Sequence, residues 1–266
     1  MFSLSTLALA LTAAAGVLSQ SAGCSGGSGL QSGQASISVN GANRDYILRV
    51  PDGYDGSTPL RLIFGFHWLG GSMSDVANSW YGLEGLSQGG AVFVAPNGID
   101  AGWANSGGRD IAFVDALIEH LTADLCIDEE QIFATGFSYG GAMSHSVACS
   151  RPDVFRAVAV IAGATLSGCD GGQQPVAYLG IHGVVDSVLN VDAGRQLRDQ
   201  WIATNGCQQK DAPEPSPGSG QHLKTEYQCS SAPVTWIAHS GDHVADPNSN
   251  GNYWAPGETW EFFNNA

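Results

Sequence analysis

Short, nearly continuous apolar runs recur along this chain, and polar segments rich in glycine or proline separate them. Runs of this texture are typical of strands that are buried on both faces of a parallel sheet. The predicted strands span residues 60–66, 91–95, 131–135, 157–162, 177–181 and 234–238.

Helical periodicity occurs between these runs. In residues 110–125 the apolar positions have the spacing of one helix face, and residues 192–204 and 258–263 also indicate helices. The alternation of strands and helices predicts an α/β fold, with a mainly parallel central sheet flanked by helices on both faces.

The segment before the first buried strand has a different pattern. Residues 36–39 and 45–50 alternate between apolar and polar positions, and Asn40 and Gly41 between them supply turn chemistry. We therefore expect an antiparallel hairpin at the N-terminal edge of the sheet.

Residues 1–19 form an apolar stretch without acidic residues, and small residues end it. This pattern predicts a signal peptide, although the basic start that usually opens one is missing. Cleavage is expected near Ser19 or Ala22. Residues 20–266 are assigned to a single domain of a secreted, extracellular protein. The stretch is too short and too rich in Ala and Ser to favour a membrane anchor.

Six cysteines lie beyond that stretch, and an even number in a secreted chain favours disulfides. Sequence alone allows many pairings. Proximity along the chain favours the pairs Cys126–Cys149, Cys207–Cys229 and, by remainder, Cys24–Cys169. The spacings are too long for a zinc ribbon, so we expect no metal and no other cofactor.

The chain has 25 acidic and 10 basic residues, a formal net charge of −15. Nucleic-acid binding needs clustered Lys and Arg for the phosphates, and here the basic residues are few and scattered. No nucleic-acid partner is therefore expected, and the acidity favours solubility in an acidic extracellular medium.

The pattern Gly-x-Ser-x-Gly occurs three times, centred on Ser25, Ser87 and Ser138. Only Ser138 follows a predicted strand and opens a helix-compatible stretch, which is the order of elements in the nucleophile elbow of α/β-hydrolases. We therefore predict that Ser138 is a nucleophile, with a tight structural turn as the alternative. Gly136 and Gly140 beside it would let the strand and the helix approach closely.

A serine nucleophile needs a base, and the base needs an orienting carboxylate that comes between them in the chain. Asp186 directly follows the predicted strand 177–181, so its carboxylate is expected at the same sheet edge as Ser138. A turn or capping aspartate is the alternative interpretation. Asp170 follows no strand directly, and Asp192 is better explained as a helix N-cap.

Two histidines follow the last predicted strand. His239 continues the strand and could be simply buried, whereas His243 lies past a glycine on the loop, where it can reach toward Ser138. We predict His243 as the base. The remaining histidines are in the wrong chain order or on elements not expected to converge, and His182 is expected to pack or hydrogen-bond in the Asp186 loop.

Acyl transfer also needs N–H donors for the developing oxyanion. One predicted donor is the backbone N–H of Tyr139, the residue after the nucleophile. The second comes from the loop at residues 66–71, and we assign it to Leu69, with Trp68 as the alternative. A plain glycine turn is the competing interpretation of this loop.

Taken together, these segments resemble the secreted fungal feruloyl esterases of carbohydrate esterase family 1, over nearly the whole chain beyond the leader. The likeness depends on residues 66–71, 102–115, 136–143, 182–186 and 241–243. The last segment is usually Gly-Gly-His in that family, so Asp242 is a mild departure that is not expected to disturb the base.

The resemblance implies a serine esterase that hydrolyses hydroxycinnamate esters, such as ferulate on the arabinose of xylan, with feruloylated plant cell-wall polysaccharide as its partner. We expect a monomer. Trp68 and Trp103 are candidate aromatic walls for the flat acyl group, against ordinary packing. The alternatives are an acetylxylan esterase, a polyester depolymerase or a non-catalytic carbohydrate-binding or structural wall protein on the same fold.

Overall fold

A computed structural model describes residues 19–26, 29–171, 174–249 and 251–266. The predicted leader lies outside the described residues, apart from Ser19. None of the described helices is long and apolar enough to cross a membrane.

A large sheet forms the centre of the described chain. Its strands are β1 Gly33–Val39, β2 Ala42–Arg49, β3 Leu60–Phe66, β4 Ala91–Pro96, β5 Ile127–Phe137, β6 Ala157–Ile161, β7 Ala177–Gly183, β8 His222–Tyr227 and β9 Val234–His239. They lie in the order β1-β2-β4-β3-β5-β6-β7-β9-β8. All pairs from β4 to β9 are parallel, whereas β1, β2 and β8 pair antiparallel at the two edges.

The mainly parallel sheet and the N-terminal edge hairpin are therefore confirmed. Strand β8 is absent from the sequence-based prediction, because its residues do not form an apolar run. Only Thr225 and Tyr227 of this edge strand are buried. A short hairpin of β10 Asn248–Ser249 and β11 Asn252–Tyr253 stands apart from the large sheet.

Helices cover both faces of the sheet, as predicted. They are α1 Met73–Ala77, α2 Leu83–Ser87, α3 Arg109–Asp124, α4 Tyr139–Ser150, α5 Val191–Thr204 and α6 Ala255–Asn265. Helices α3, α4 and α5 bury Val114, Met143 and Trp201 in one core, while α1, α2 and α6 pack into a second core. Burial on both faces explains why the central strands are apolar at nearly every position.

The disulfides are Cys24–Cys126, Cys149–Cys169 and Cys207–Cys229. The third pair is confirmed, and the predicted pairs Cys126–Cys149 and Cys24–Cys169 are wrong. Tertiary contacts override closeness along the chain: the Ser21 hydroxyl donates to the Leu125 carbonyl at 2.7 Å and accepts the Ile127 N–H, which brings Cys24 to Cys126. At the end of α4, the Asp170 N–H donates to Ser150, which brings Cys169 to Cys149.

Candidate active site

Ser138 lies between the end of β5 and the start of α4, with φ 56° and ψ −117°. A positive φ at a residue other than glycine is a strained backbone, and such strain costs on the order of 1–3 kcal/mol. The strain is held by both neighbours, because the Ser138 N–H donates to the Ile161 carbonyl of β6 and its carbonyl accepts from Ala142 in α4. The turn therefore has the strained strand-to-helix geometry expected of a nucleophile elbow.

The glycines on both sides of this turn are required by close backbone approaches. A β-carbon at Gly136 would collide with the backbone of Gly140, and one at Gly140 would collide with the carbonyl oxygen of Phe66. The crowding expected from the sequence is thus present. It also brings the start of α4 against the end of β3 and the loop that follows it.

Asp186 and His243 meet across two loops. The His243 Nδ1 donates to Asp186 Oδ2 at 2.7 Å, and both loops follow strands that pair in parallel, β7 and β9. The His243 ring lies 4.5 Å from the Phe137 ring, measured between centroids, so the imidazole is beside the residue that precedes Ser138. The structure brings the predicted acid and base into contact next to the predicted nucleophile.

The Asp186 carboxylate is buried and fully hydrogen-bonded. Its Oδ1 accepts the N–H groups of Val188 and Leu189 at 2.9 and 2.7 Å. The His182 Nε2 lies 3.3 Å from Oδ2 and also donates to the Leu189 carbonyl. Burial alone would raise the pKa of Asp186, but the hydrogen bonds from His182, His243 and the backbone outweigh it and hold the pKa well below its usual range. The Asp186 side chain is therefore a carboxylate at neutral pH.

His182 has the local hydrogen-bonding position that the sequence indicates, and the carboxylate it supports is Asp186. His239 is buried in β9, and its Nδ1 accepts the N–H of Gly241. Burial, reinforced by the neighbouring His182, lowers the pKa of His239 to about 4. Asp192 is not the N-cap of α5, because Asn190 takes that position and accepts the Asp192 N–H.

The loop at residues 66–71 leaves few free N–H groups. The Gly70 N–H donates to the Ala101 carbonyl, and the Gly71 N–H donates to the Trp68 carbonyl. In the described part of the chain, the N–H groups of Trp68 and Leu69 have no such acceptor. These are the two donors between which the sequence leaves a choice.

The hydrogen bonds of His67 favour the Leu69 N–H over the Trp68 N–H as the candidate oxyanion donor. Its buried Nδ1 donates to the Trp68 carbonyl at 2.8 Å, and its Nε2 accepts the Gly98 N–H at 2.9 Å. In a trans peptide the carbonyl and the next N–H point in opposite directions. The Trp68 carbonyl therefore faces inward to His67, and the Leu69 N–H faces outward. Chain order excludes His67 as the base, and this supporting role becomes evident only from the packing of its ring.

Leu69 also lies beside Tyr139. A β-carbon at Gly102 would touch both side chains, within about 3.2 Å of each. Tyr139 is the first residue of α4, and the N–H of a first helical residue has no partner inside its helix. Among the residues that the structure describes, neither this N–H nor that of Leu69 has a backbone acceptor.

The two candidate tryptophans have different positions. Trp68 is half-buried, and its ring lies 6.1 Å from the Phe137 ring. Trp103 is 0% exposed, packs on Phe66, and donates its Nε1 to the His67 carbonyl at 2.7 Å. Trp103 therefore supports the loop from beneath and has no surface to offer an acyl group, contrary to the expectation from sequence.

Exposed apolar side chains lie next to each part of the site. Leu69 is 65% exposed, and Val185, Val188 and Val244 are exposed on the loops that carry Asp186 and His243. Large apolar side chains at the surface mark binding sites when they occur together.

A group with metal-ligand spacing also occurs among the described residues: His145, Cys149 and Cys169. Both sulfurs belong to one disulfide, and a metal would need them as thiolates. The group is therefore part of the structural frame at the end of α4.

The sheet order, the helices on both faces and the strained serine between β5 and α4 define an α/β-hydrolase. An acetyl xylan esterase from Aspergillus awamori has a similar fold, with a TM-score of 0.64 and 17% identity over 88% of this chain and 99% of that one. The sequence is 51% identical over 266 residues to "Probable feruloyl esterase C" from Aspergillus terreus, covering 98% of this chain and 96% of that protein. The chain belongs to the fungal feruloyl esterase family of carboxylic ester hydrolases.

A second relative supports this assignment. "Feruloyl esterase C" from Emericella nidulans is 51% identical over 234 residues, which cover 85% of this chain and 87% of that protein. The model of the prolyl oligopeptidase family matches residues 99–167. That match includes Ser138 but neither Asp186 nor His243, and it is too short to define the family of the chain.

Proposed function

We propose that this protein is a secreted serine esterase that hydrolyses hydroxycinnamate esters, in particular feruloyl esters of plant cell-wall arabinoxylan. The observation that carries the proposal is the 2.7 Å bond from His243 to Asp186 beside the Ser138 turn. The family supplies the substrate class, since its curated members are named feruloyl esterases.

In the proposed mechanism, His243 takes the proton of the Ser138 hydroxyl as the oxygen attacks the ester carbonyl. Asp186 orients the imidazole and stabilises its charged form. His243 then gives the proton to the departing sugar oxygen, which leaves a feruloyl group on Ser138. A water molecule, deprotonated by the same imidazole, releases ferulic acid and restores the serine.

The backbone N–H groups of Tyr139 and Leu69 are the proposed oxyanion donors. One such donor is typically worth about 3 kcal/mol of transition-state stabilisation. The support is that Gly70 and Gly71 use their N–H groups elsewhere, and that the Trp68 carbonyl is turned inward.

The acyl group is proposed to bind against Trp68 and the exposed apolar side chains of Leu69, Val185, Val188 and Val244. A flat phenolic ring gains most from apolar and aromatic surface, whereas a sugar is bound mainly by polar groups and ring faces. These apolar side chains favour an aromatic acyl group over an acetyl group, because an acetyl group would leave most of their surface uncovered.

The catalytic assignment is tested with Ser138→Ala and methyl ferulate. The variant should be folded, by circular dichroism, and should lose hydrolysis by at least about a thousandfold, because no other group can form the acyl-enzyme. Retained turnover in the folded variant would refute the assignment.

The substrate is tested by comparing rates on methyl ferulate, p-nitrophenyl acetate, acetylated xylan and polyhydroxybutyrate. A preference for methyl ferulate supports the proposal. A preference for acetylated xylan or the polyester would favour one of the alternative esterases, and inactivity on all four would favour a non-catalytic wall protein.

Secretion is proposed from the apolar start of the chain and the three disulfides, which form in oxidising compartments. Ser21 bonds to residues on both sides of Cys126, so cleavage near Ser19 keeps these contacts and cleavage after Ala22 removes them. We expect the intact mass of protein from the culture medium to correspond to a start near Gln20. Protein retained in the cells with residues 1–19 present would contradict secretion.

A further inference from the structure

Asp242, directly before His243, accepts more hydrogen bonds than is expected of an aspartate on an exposed loop. Its Oδ1 accepts two backbone N–H groups, from Ser187 and from His243, both at 2.7 Å. Its Oδ2 accepts the Ser187 hydroxyl at 3.1 Å. One side chain thus holds the residue after Asp186 and the residue that carries the imidazole.

These bonds join two loops that are far apart in the sequence. The acid loop, residues 184–190, follows β7, and the base loop, residues 240–247, follows β9. The ladder between the strands continues as far as the bond from Val185 N–H to the Gly241 carbonyl, at 3.3 Å. Beyond this point the backbone pairing ends, and the Asp242 carboxylate makes the next hydrogen bonds between the two loops.

A local turn explains only part of this arrangement. An aspartate often bonds to nearby backbone N–H groups, which would account for the His243 contact. The bonds to Ser187 cross 55 positions of the chain and use both carboxylate oxygens. Hydrogen bonds from Ser187 and from the His243 N–H lower the pKa of Asp242, so the acceptor is an anion at neutral pH.

We propose that Asp242 is a positioning residue, whose carboxylate clamps the acid loop to the base loop and so fixes Asp186 against His243. The inference rests on the proposed function of these two residues. The position is usually glycine in the family that this segment resembles, and glycine offers no such acceptor. This role is compatible with the sequence-based expectation that Asp242 does not disturb the base, since the carboxylate would hold the base in place.

The clamp matters because Asp186 and His243 must keep their geometry while the imidazole gains and loses a proton. A misplacement of about 1 Å in a catalytic constellation can cost about a hundredfold in rate. Two parallel strands fix the roots of the loops but not their tips. The contribution of Asp242 should therefore appear in kcat and leave KM nearly unchanged.

The test compares Asp242→Ala with Asp242→Asn on methyl ferulate, with Asp246→Asn as a charge-matched control on the same loop. The alanine variant removes every acceptor and should lower kcat about tenfold, with KM within about twofold. The asparagine variant keeps an oxygen for both N–H groups and should stay within about threefold of wild type. The control should match wild type.

A second comparison separates positioning from general destabilisation. In an Asp186→Ala background there is no acid to align, so adding Asp242→Ala should cost nothing further. Should Asp242→Ala fail to fold, Asp242→Gly takes its place in both comparisons, because glycine is the residue usually found there in the resembling family.

Wild-type kcat in folded Asp242→Ala would overturn the clamp, as would an equal loss in Asp242→Asn or an undiminished loss in the Asp186→Ala background. These outcomes are distinct from failure of the proposed function. If Ser138→Ala and His243→Ala retain turnover, the triad fails; if both are inactive while Asp242→Ala is fully active, only the clamp fails.

Discussion

At the scale of single residues, the proposed oxyanion loop is held by a histidine other than the proposed base. His67 is buried, donates to the Trp68 carbonyl and accepts from Gly98. Accepting that N–H requires an unprotonated Nε2, and burial lowers the pKa of His67 in keeping with this. A neutral His67 therefore fixes which way the peptide between Trp68 and Leu69 points.

Replacing His67 by alanine should release that peptide. We expect kcat for methyl ferulate to fall about a hundredfold with KM within about threefold, since loss of one oxyanion donor typically costs 10²–10³ in kcat. His120→Ala, on the outer part of α3, is the matched control and should behave as wild type. A folded His67→Ala enzyme with normal kcat would show that the Leu69 N–H is not a donor or does not need His67.

The site was partly predictable at this scale. The Gly-x-Ser-x-Gly motif, the chain order and the position on a loop after a strand together make Ser138, Asp186 and His243 the candidates. Chain order does not reveal which way a peptide group points or how deeply an aromatic ring is buried. The bond from His67 to Trp68 and the burial of Trp103 both depend on packing between distant segments, which no local pattern records.

At the scale of elements, the unit that presents Ser138 is β5, the turn and α4. Nearly all residues of α4 are buried, so the helix has no polar face and little periodicity in its sequence. Its position is set by the close approach of Gly136 and Gly140 to neighbouring backbone. The geometry of the turn is therefore a property of the packed unit.

A glycine-to-alanine substitution in this unit should destabilise the protein far more than the same substitution in a similar sequence elsewhere in the chain. Gly140→Ala should destabilise the fold by more than about 2 kcal/mol or abolish activity, because the collision is with backbone atoms that cannot move aside. Gly85→Ala is the matched control, because Gly85 lies in α2 and opens the Gly-x-Ser-x-Gly copy centred on Ser87. No atom crowds that position, and alanine should stabilise the helix by about 0.5–1 kcal/mol.

Urea unfolding of both variants checks this difference. Equal effects at the two positions would mean that the turn tolerates a side chain and that the backbone contacts are not limiting.

Among the secondary-structure elements, the sequence predicts the buried strands well but does not predict the polar edge strand β8. Buried parallel strands such as β4 and β6 are apolar throughout and are easily recognised. Strand β8 is polar at the sheet edge, so it has no such signal. Residues 211–220 before it are rich in Pro, Gly and Ser, which indicates a loop. The strand becomes evident only through its pairing with β9.

At the scale of the whole molecule, the disulfides tie segments of very different separation. Cys24 and Cys126 are 102 positions apart, whereas Cys207 and Cys229 are 22 apart. In the chain-entropy account, closing loops of these lengths stabilises by about 4.7 and about 3.4 kcal/mol. The first bond also anchors the segment that pairs with the start of β5.

We therefore expect the double variant Cys24→Ser/Cys126→Ser to lose more stability than Cys207→Ser/Cys229→Ser, by at least about 1 kcal/mol in urea unfolding. The reverse order would mean that the N-terminal segment contributes little to the folded state or stays ordered without the bond.

Buried histidines make the stability of the whole fold dependent on pH. Burial lowers the pKa of His145 to about 4, and burial with the neighbouring His182 does the same for His239. An unfolded histidine titrates near pH 6.5, so below about pH 6.5 the unfolded chain takes up protons that the folded chain does not. The contribution of these two histidines to the free energy of unfolding is therefore fully present above about pH 6.5 and is lost as the pH falls toward 4.

Each of these histidines should contribute about 2.5 kcal/mol to the loss between about pH 7 and pH 4.5. His145→Gln removes one of them and should reduce the loss by about that amount, measured by urea unfolding at both pH values. An unchanged pH dependence in this variant would show that His145 is accessible to protons in the folded protein.

We propose that the Ser138 Oγ is the atom to which the acyl group is transferred, with His243 and Asp186 activating it. Stoichiometric labelling with a fluorophosphonate, followed by peptide mass spectrometry and assay with methyl ferulate, tests this most directly. We predict one label per chain, located on Ser138, with activity falling in proportion to labelling, and no label in His243→Ala on the same timescale. Full inactivation with the label on another residue, or a labelled Ser138 in an enzyme that still turns over, would contradict the account.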